Sequence, residues 1–324
     1  MATTTTRTGS TAERDAARED RERTMELLRE VRRIEIQTSR LVDQHLAGSY
    51  HSVFKGQGVA FAEVRAYEPG DDVRTIDWNV TARTGEPHVK LFSEERELTV
   101  MLLVDMSGSL DLGSTDADKR QVVARLAATF AFSAIRNNDR VGLIGFTDRV
   151  EVFVPPRSGR KHVLSVIQKV LTHRPEHRGT DAGEALRYMA RLRRRSAVVI
   201  LISDFIDACS DAQGRGAAFE RALKLVRRSN DVIPVRVEDP IELDLPALGL
   251  VAMEDLELMG FDPGEFIDLS PKRAARYKQA VADERKRFEK LMQRLRLETM
   301  SVQCGEDWQT PMVQFFRRRA RRMR

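Results

Sequence analysis

Between Leu98 and Val237 the chain alternates continuous apolar runs with longer segments of helical periodicity, and that alternation leaves few folds open. "LTVMLLV", "RVGLIGF", "SAVVILIS" and "DVIPVRV" carry no polar face, as expected of strands covered on both sides. The segments between them, "QVVARLAATFAFSAIRNN", "KHVLSVIQKVL", "AGEALRYMARLRR" and "FERALKLVRRS", space their apolar residues as helices do. "VEVFV" follows "RVGLIGF" closely enough to pair with it. The pattern predicts an α/β fold, a doubly wound and mostly parallel sheet between helices, with ligands bound at the carboxyl ends of its strands. With 324 residues and 41 % hydrophobic content the chain can bury such a core and still carry flanking segments.

Those flanks divide the rest. Residues 1–20 are a Thr, Ser and charged leader, expected to be disordered. Residues 21–96 open with a helix whose apolar face is Met25, Leu28, Val31, Ile34, Leu41 and Val42, and continue from Gly48 to Phe92 as short strands and turns, a small β-containing lobe. Residues 97–240 hold the α/β domain. Residues 241–324 form a C-terminal extension. It comprises loops with short strands that extend the sheet, a long charged helix with a stripe through Tyr277, Val281, Phe288, Leu291 and Leu295, a last strand at "TMSVQC", and an arginine-rich end. The flanks are expected to pack together as a second lobe, with the α/β domain inserted between them. In Arg65–Trp78, acids and arginines alternate with Tyr67, Val73, Ile76 and Trp78, a pattern read as apolar anchors around a charged turn.

Several functions are disfavoured. Cys209 and Cys304 are far apart with no metal-ligand spacing, which speaks against a disulfide framework or a zinc site. The polar N-terminus has no signal-peptide core and no stretch approaches a bilayer span, so a cytoplasmic protein is expected. The net charge of +5 owes much to six arginines in "RRRARRMR", read as a solvated helix end suited to the helix dipole; nucleic-acid or membrane binding through this tail is the lesser alternative. Gly56-Gln57-Gly58 lacks a dinucleotide-binding context, and no GxxxxGK[ST] occurs, so nucleotide hydrolysis is not expected.

The chemistry gathers at strand ends. "VMLLVDMSGSL" stops at Asp105 and then offers Ser107 and Ser109; "AVVILISDF" ends in Ser203 and Asp204; "HRGTDAGEAL" brings Thr180 to the mouth of a helix. In a doubly wound sheet all three places return to one rim. Asp105, Ser107, Ser109, Thr180 and Asp204 make an all-oxygen set with two anions, suited to a hard cation such as Mg²⁺ or Mn²⁺. Asp181 and Glu184 read as helix-start residues, and His173 and His177 as incidental loop residues. A metal-dependent hydrolase or phosphatase is the alternative reading, but an aspartyl phosphatase needs an acid where Ser107 stands.

Asp-x-Ser-x-Ser with a later Thr and a later strand-end Asp resembles the metal-ion-dependent adhesion site of von Willebrand factor A domains. The resemblance implies that Ser107, Ser109 and Thr180 contact the ion directly or nearly so. Asp105 and Asp204 would bind it directly or through water, and one position would be left for an acidic residue of a partner. "GQGVAFAEVRAYEPGDDVRTIDWNVTART" followed by "VKLFSEERELTVMLLVDMSGS" resembles the bacterial domain-of-unknown-function family 58. That resemblance implies a von Willebrand A-like domain in a non-enzymatic adaptor or chaperone partner of a MoxR-type AAA+ ATPase, acting on a client protein.

Overall fold

The structure is a computed structural model. It describes residues 28–46, 60–93, 97–111, 118–177, 179–192, 196–206, 208–209, 214–252 and 266–322. The leader at 1–20, Met25 and Gly56–Gly58 lie outside them.

Its centre is a six-stranded sheet formed by β3 (Thr99–Asp105), β4 (Arg140–Phe146), β5 (Val150–Arg157), β6 (Val198–Ser203), β7 (Asp231–Glu238) and β10 (Met300–Gln303). The strand order is β10-β7-β6-β3-β4-β5. All neighbours are parallel except β4 and β5, an antiparallel hairpin. Outside this sheet, β1 (Ala60–Ala66) pairs antiparallel with β2 (His88–Ser93), and β8 (Gly249–Ala252) with β9 (Phe266–Leu269).

The apolar runs divide between two cores with the period of two that a pleated strand imposes. Val100, Leu102 and Val104 of β3 face one side. There they meet residues 28–41 (α1), α3 (Lys119–Arg136), α4 (Arg160–Thr172) and α9 (Gln309–Arg322). Met101 and Leu103 face the other side, with α5 (Ala182–Leu192), α6 (Arg215–Arg227) and α8 (Pro271–Arg294). Helix α3 is buried nearly all round, and its run of Ala124, Ala127, Ala128 and Ala131 lets it lie close against the strands. Two short α-helices are also present, α2 (Trp78–Thr84) and α7 (Pro240–Leu243), and a 3-10 turn at Val73–Thr75. In the order above, β3 lies between β4, the next strand in sequence, and β6. The chain therefore winds off in opposite directions from β3, leaving a crevice between the carboxyl ends of β3 and β6.

The two flanks come together on the α/β core: Val31, Ile34, Leu41 and Val42 join Trp308, Met312, Phe315 and Phe316 in one cluster with β3 and α3, and the turn Val42–Leu46 lies against α9. One amphipathic face on α1 and one on α9 find the same apolar surface, so both become part of the α/β layers. Among the described residues the sheet is extended by β10, and β8 and β9 pair with each other. In the long helix Phe288, Leu291 and Leu295 are buried, together with Ala274 and Met292.

Near the end of β1, Arg65 pairs with Asp71 at 2.7 Å. Asp77 caps α2 and lies 3.4 Å from Lys90. The apolar residues, however, are not all anchors. Val73 and Trp78 are 61 % and 70 % exposed, because the short helices they belong to are held by Asp72 and Asp77 caps rather than by burial. Among the described residues no helix is long and apolar enough to cross a membrane.

Candidate functional site

Adjacent strands carry the two acids to one rim. Val104 of β3 is in register with Ile202 of β6, so Asp105 lies level with Ser203 and one residue short of Asp204. The Met106 amide donates to Phe146 O at 2.7 Å, carrying the β3–β4 ladder past Asp105 before the chain turns. Asp105 then stabilises its own turn: Oδ1 accepts the Ser107 amide at 3.0 Å. Its Oδ2 accepts the Ser203 hydroxyl at 2.7 Å. The Ser107 and Ser109 hydroxyls are 3.0 Å apart, and Ser109 Oγ donates to Asp204 Oδ2 at 2.9 Å. Asp204 Oδ1 accepts the Ile206 amide at 3.1 Å. Immediately beyond, Phe205 takes a left-handed backbone, φ 58°. Its ring, 4.6 Å from that of Phe288, helps hold this uncommon conformation.

Thr180 reaches the same neighbourhood from the loop before α5. That loop is pinned to the end of β4 by the Asp181 amide on Thr147 O at 2.9 Å. Thr180 shares a small pocket with Ser203, the donor to Asp105. Asp181 and Glu184 belong to the helix instead: Asp181 Oδ1 accepts the Glu184 amide, and both acids pair with Arg187. His173 is engaged by Glu151, its Nε2 lying 2.8 Å from Glu151 Oε2. Glu151 also accepts the Glu176 and His177 amides and so ties down the loop carrying both histidines.

Sequence reasoning missed Lys119. Its side chain is 1 % exposed, and its Nζ donates to Asp204 Oδ2 at 2.8 Å and to Glu242 Oε1 at 2.6 Å. Burial works against the ammonium, but Asp204 first and Glu242 second outweigh it, holding Lys119 above its ordinary range. Asp204 is held below its ordinary value by Lys119 despite the burial that pushes it up. Glu242 is raised, since burial outweighs its share of the same ammonium. Nothing in "STDADKRQVV" marks Lys119 as buried; a lysine in the first turn of a helix reads as surface. Ser203 was legible as a strand end but not as the hydroxyl that orients Asp105.

Asp105 is the unbalanced member. It is 2 % exposed, its hydrogen-bond donors are neutral, and burial first and Asp204 second push its carboxyl from 3.8 up to about 6. A buried carboxylate without a cationic donor, beside a second carboxylate and two hydroxyls, is a site where a divalent cation fits. Among the described residues no three His, Cys, Asp or Glu side chains converge on a metal position. Hydroxyl oxygens accompany the two acids at the rim.

A carboxyl raised in this way contributes stability that is full below its unfolded pKa of 3.8 and is lost as pH rises through about 6. Asp105→Asn should therefore stabilise the chain in EDTA at pH 7 by about 1 kcal/mol, a fraction of the shift because the amide pairs less well with Ser203. The gain should vanish by about pH 4. Urea unfolding at the two pH values measures it, and an equal or destabilising effect at both would refute the assignment of Asp105 as the strained acid.

A family profile described as "Protein of unknown function DUF58" matches residues 63–287. The uncharacterized protein Rv1480 of Mycobacterium tuberculosis is 30 % identical over 295 residues, covering 90 % of this chain and 89 % of that protein. The uncharacterized protein YeaD of Bacillus subtilis is 29 % identical over 107 residues, 33 % of this chain and 25 % of that protein. Among solved structures, the conserved hypothetical protein BatB from Bacteroides thetaiotaomicron aligns with a TM-score of 0.42 and 18 % identity, over 69 % of this chain and 99 % of BatB. A von Willebrand factor type A protein from Catenulispora acidiphila aligns with a TM-score of 0.38 and 15 % identity, over 73 % of this chain and 44 % of that one.

Proposed function

This chain belongs to the DUF58 family of proteins of unknown function, and on that premise we propose that it is a non-enzymatic interaction module. Asp105, Ser107, Ser109, Thr180 and Asp204 hold a divalent cation, Mg²⁺ or Mn²⁺, at the rim, and a partner's acidic side chain docks there. The observation that carries this reading is Asp105: buried, facing only neutral donors, and pressed against the charge of Asp204. Bound there, the cation supplies the positive charge that a partner carboxylate needs. The chain's own residues do the rest. Ser203 and the Ser107 amide aim Asp105, the two serine hydroxyls sit within 3.0 Å of each other, and Lys119 keeps Asp204 ionised. Neutral hydroxyl ligands leave a cation under-neutralised, which favours a charged newcomer over a saturated cage.

Catalysis is disfavoured by the residues themselves: Ser107 stands where an aspartyl-phosphate mechanism needs an acid, and His173 is engaged by Glu151. The resemblance noted for the sequence makes a MoxR-type AAA+ ATPase the proposed partner, in adaptor or chaperone work on a client protein, in the cytoplasm.

Calorimetry with Mg²⁺ and Mn²⁺, run on wild type and Asp105→Ala and paired with a pull-down of a MoxR-type ATPase, tests it. Wild type should bind a divalent ion, and the variant should lose at least about 100-fold in affinity, with partner capture weakening in step. A wild type that binds neither ion, even with the ATPase present, would reduce the rim to a structural turn.

A further inference from the structure

Lys119 ties the rim to a part of the chain that has no share in the ligand set. Asp204 Oδ2 accepts two hydrogen bonds, from Ser109 Oγ at 2.9 Å and Lys119 Nζ at 2.8 Å. A carboxylate oxygen has two lone pairs, so Oδ2 is fully used. A cation drawing on Oδ2 must replace one of these donors, and of the two it repels the ammonium. At its other end Lys119 holds Glu242 of α7.

Helix α7 has four residues, too few to stand by propagation alone. It is kept by a capping box, in which Glu242 Oε2 accepts the Asp239 amide at 2.9 Å and Asp239 Oδ1 accepts the Ile241 amide at 3.0 Å. It is kept also by α8: Tyr277 Oη donates to Glu242 O at 3.0 Å, and Lys278 pairs with Asp244 at 2.6 Å. Glu242 thus serves Lys119 with one oxygen and the cap with the other.

We propose that Lys119 is a positioning residue that couples cation occupancy of the rim to the seating of α7. This rests on the cation-binding reading above and specifies how that site is regulated. A cation on Asp204 Oδ2 drives Lys119 from the rim; the ammonium carries Glu242 with it, the cap at Asp239 opens, and α7 loosens against Tyr277 of α8. By reciprocity, whatever presses α7 into place weakens the cation site. Capture at the rim is in this way relayed to the C-terminal segment.

Amide hydrogen exchange on the full chain, in EDTA and in saturating Mg²⁺, reads the coupling at Ile241, Glu242 and Asp244, whose amides bond within the cap and α7. Calorimetry on the same samples reports binding. In wild type, exchange at these three amides should speed up about tenfold with Mg²⁺. In Glu242→Ala, which removes the cap acceptor and the second partner of Lys119, exchange should be fast in both conditions. Wild type that binds Mg²⁺ with exchange unchanged or slowed overturns the coupling and leaves the cation site intact. Wild type that binds no Mg²⁺ overturns the cation reading, and the coupling with it. The wild-type comparison decides the matter even if the variant does not fold.

Discussion

Lys119→Met should lower the unfolding free energy of the metal-free chain by about 3–5 kcal/mol at neutral pH, the cost of leaving buried charge without its partner. Asp204 and Glu242 would both remain, one 8 % exposed and the other with its side chain 10 % exposed, with no ammonium between them. Methionine fills much the same volume, so packing alone predicts a far smaller loss. The pH dependence separates the two causes. Asp204 is depressed by Lys119, so the stability it contributes is present above its unfolded value and lost as pH falls through its folded one. In the variant both acids, buried without the ammonium, are raised and take up protons as pH falls from 7, so the deficit of Lys119→Met should be largest near pH 7 and shrink toward pH 4. Urea unfolding of wild type and variant across that range measures it. The triple change Lys119→Met, Asp204→Asn, Glu242→Gln should recover most of the loss, since a buried charge cluster replaced by neutral groups is often close to break-even. A deficit independent of pH would assign Lys119 to packing.

The sequence and the structure part company along physical lines. The strands β3, β4, β6 and β7 were legible because burial on both faces leaves an unbroken apolar run. Asp105 and Asp204 were legible because a strand that ends in an acid, in a doubly wound sheet, has one place to put it. Lys119 was not: an ion pair between residues 119, 204 and 242 is a property of tertiary placement, and its members look like solvated charges when read locally. Trp78 failed in the opposite sense. Large aromatic residues are buried more often than not, yet the Asp77 cap makes α2 stable enough locally to leave Trp78 at 70 % exposure. The flanks show a third limit. Periodicity revealed that α1 and α9 each have an apolar face, but it could not say whether those faces meet each other or a third surface.

They meet both each other and a third surface, and Phe316→Ala tests how much depends on it. Phe316 is fully buried, 5.7 Å from the ring of Phe130 on α3 and 6.0 Å from that of Phe315. Truncation should cost about 3–5 kcal/mol, the range for a buried aromatic whose site collapses only partly. Leu250→Ala, 68 % exposed on β8, should cost no more than about 0.5 kcal/mol and serves as the control. Chemical denaturation should show a single transition moving to lower urea in Phe316→Ala, because α1, α3 and α9 share one cluster with β3. If instead a separate early transition appeared with the main one unmoved, α9 would be an appendage. The expected result has a functional consequence. Helix α9 packs on the α3 face while the first turn of α3 carries Lys119 into the rim. A loosened α3 holds Lys119 less firmly on Asp204, so Phe316→Ala should bind Mg²⁺ more tightly while losing stability, although no residue of α9 lies among the proposed ligands.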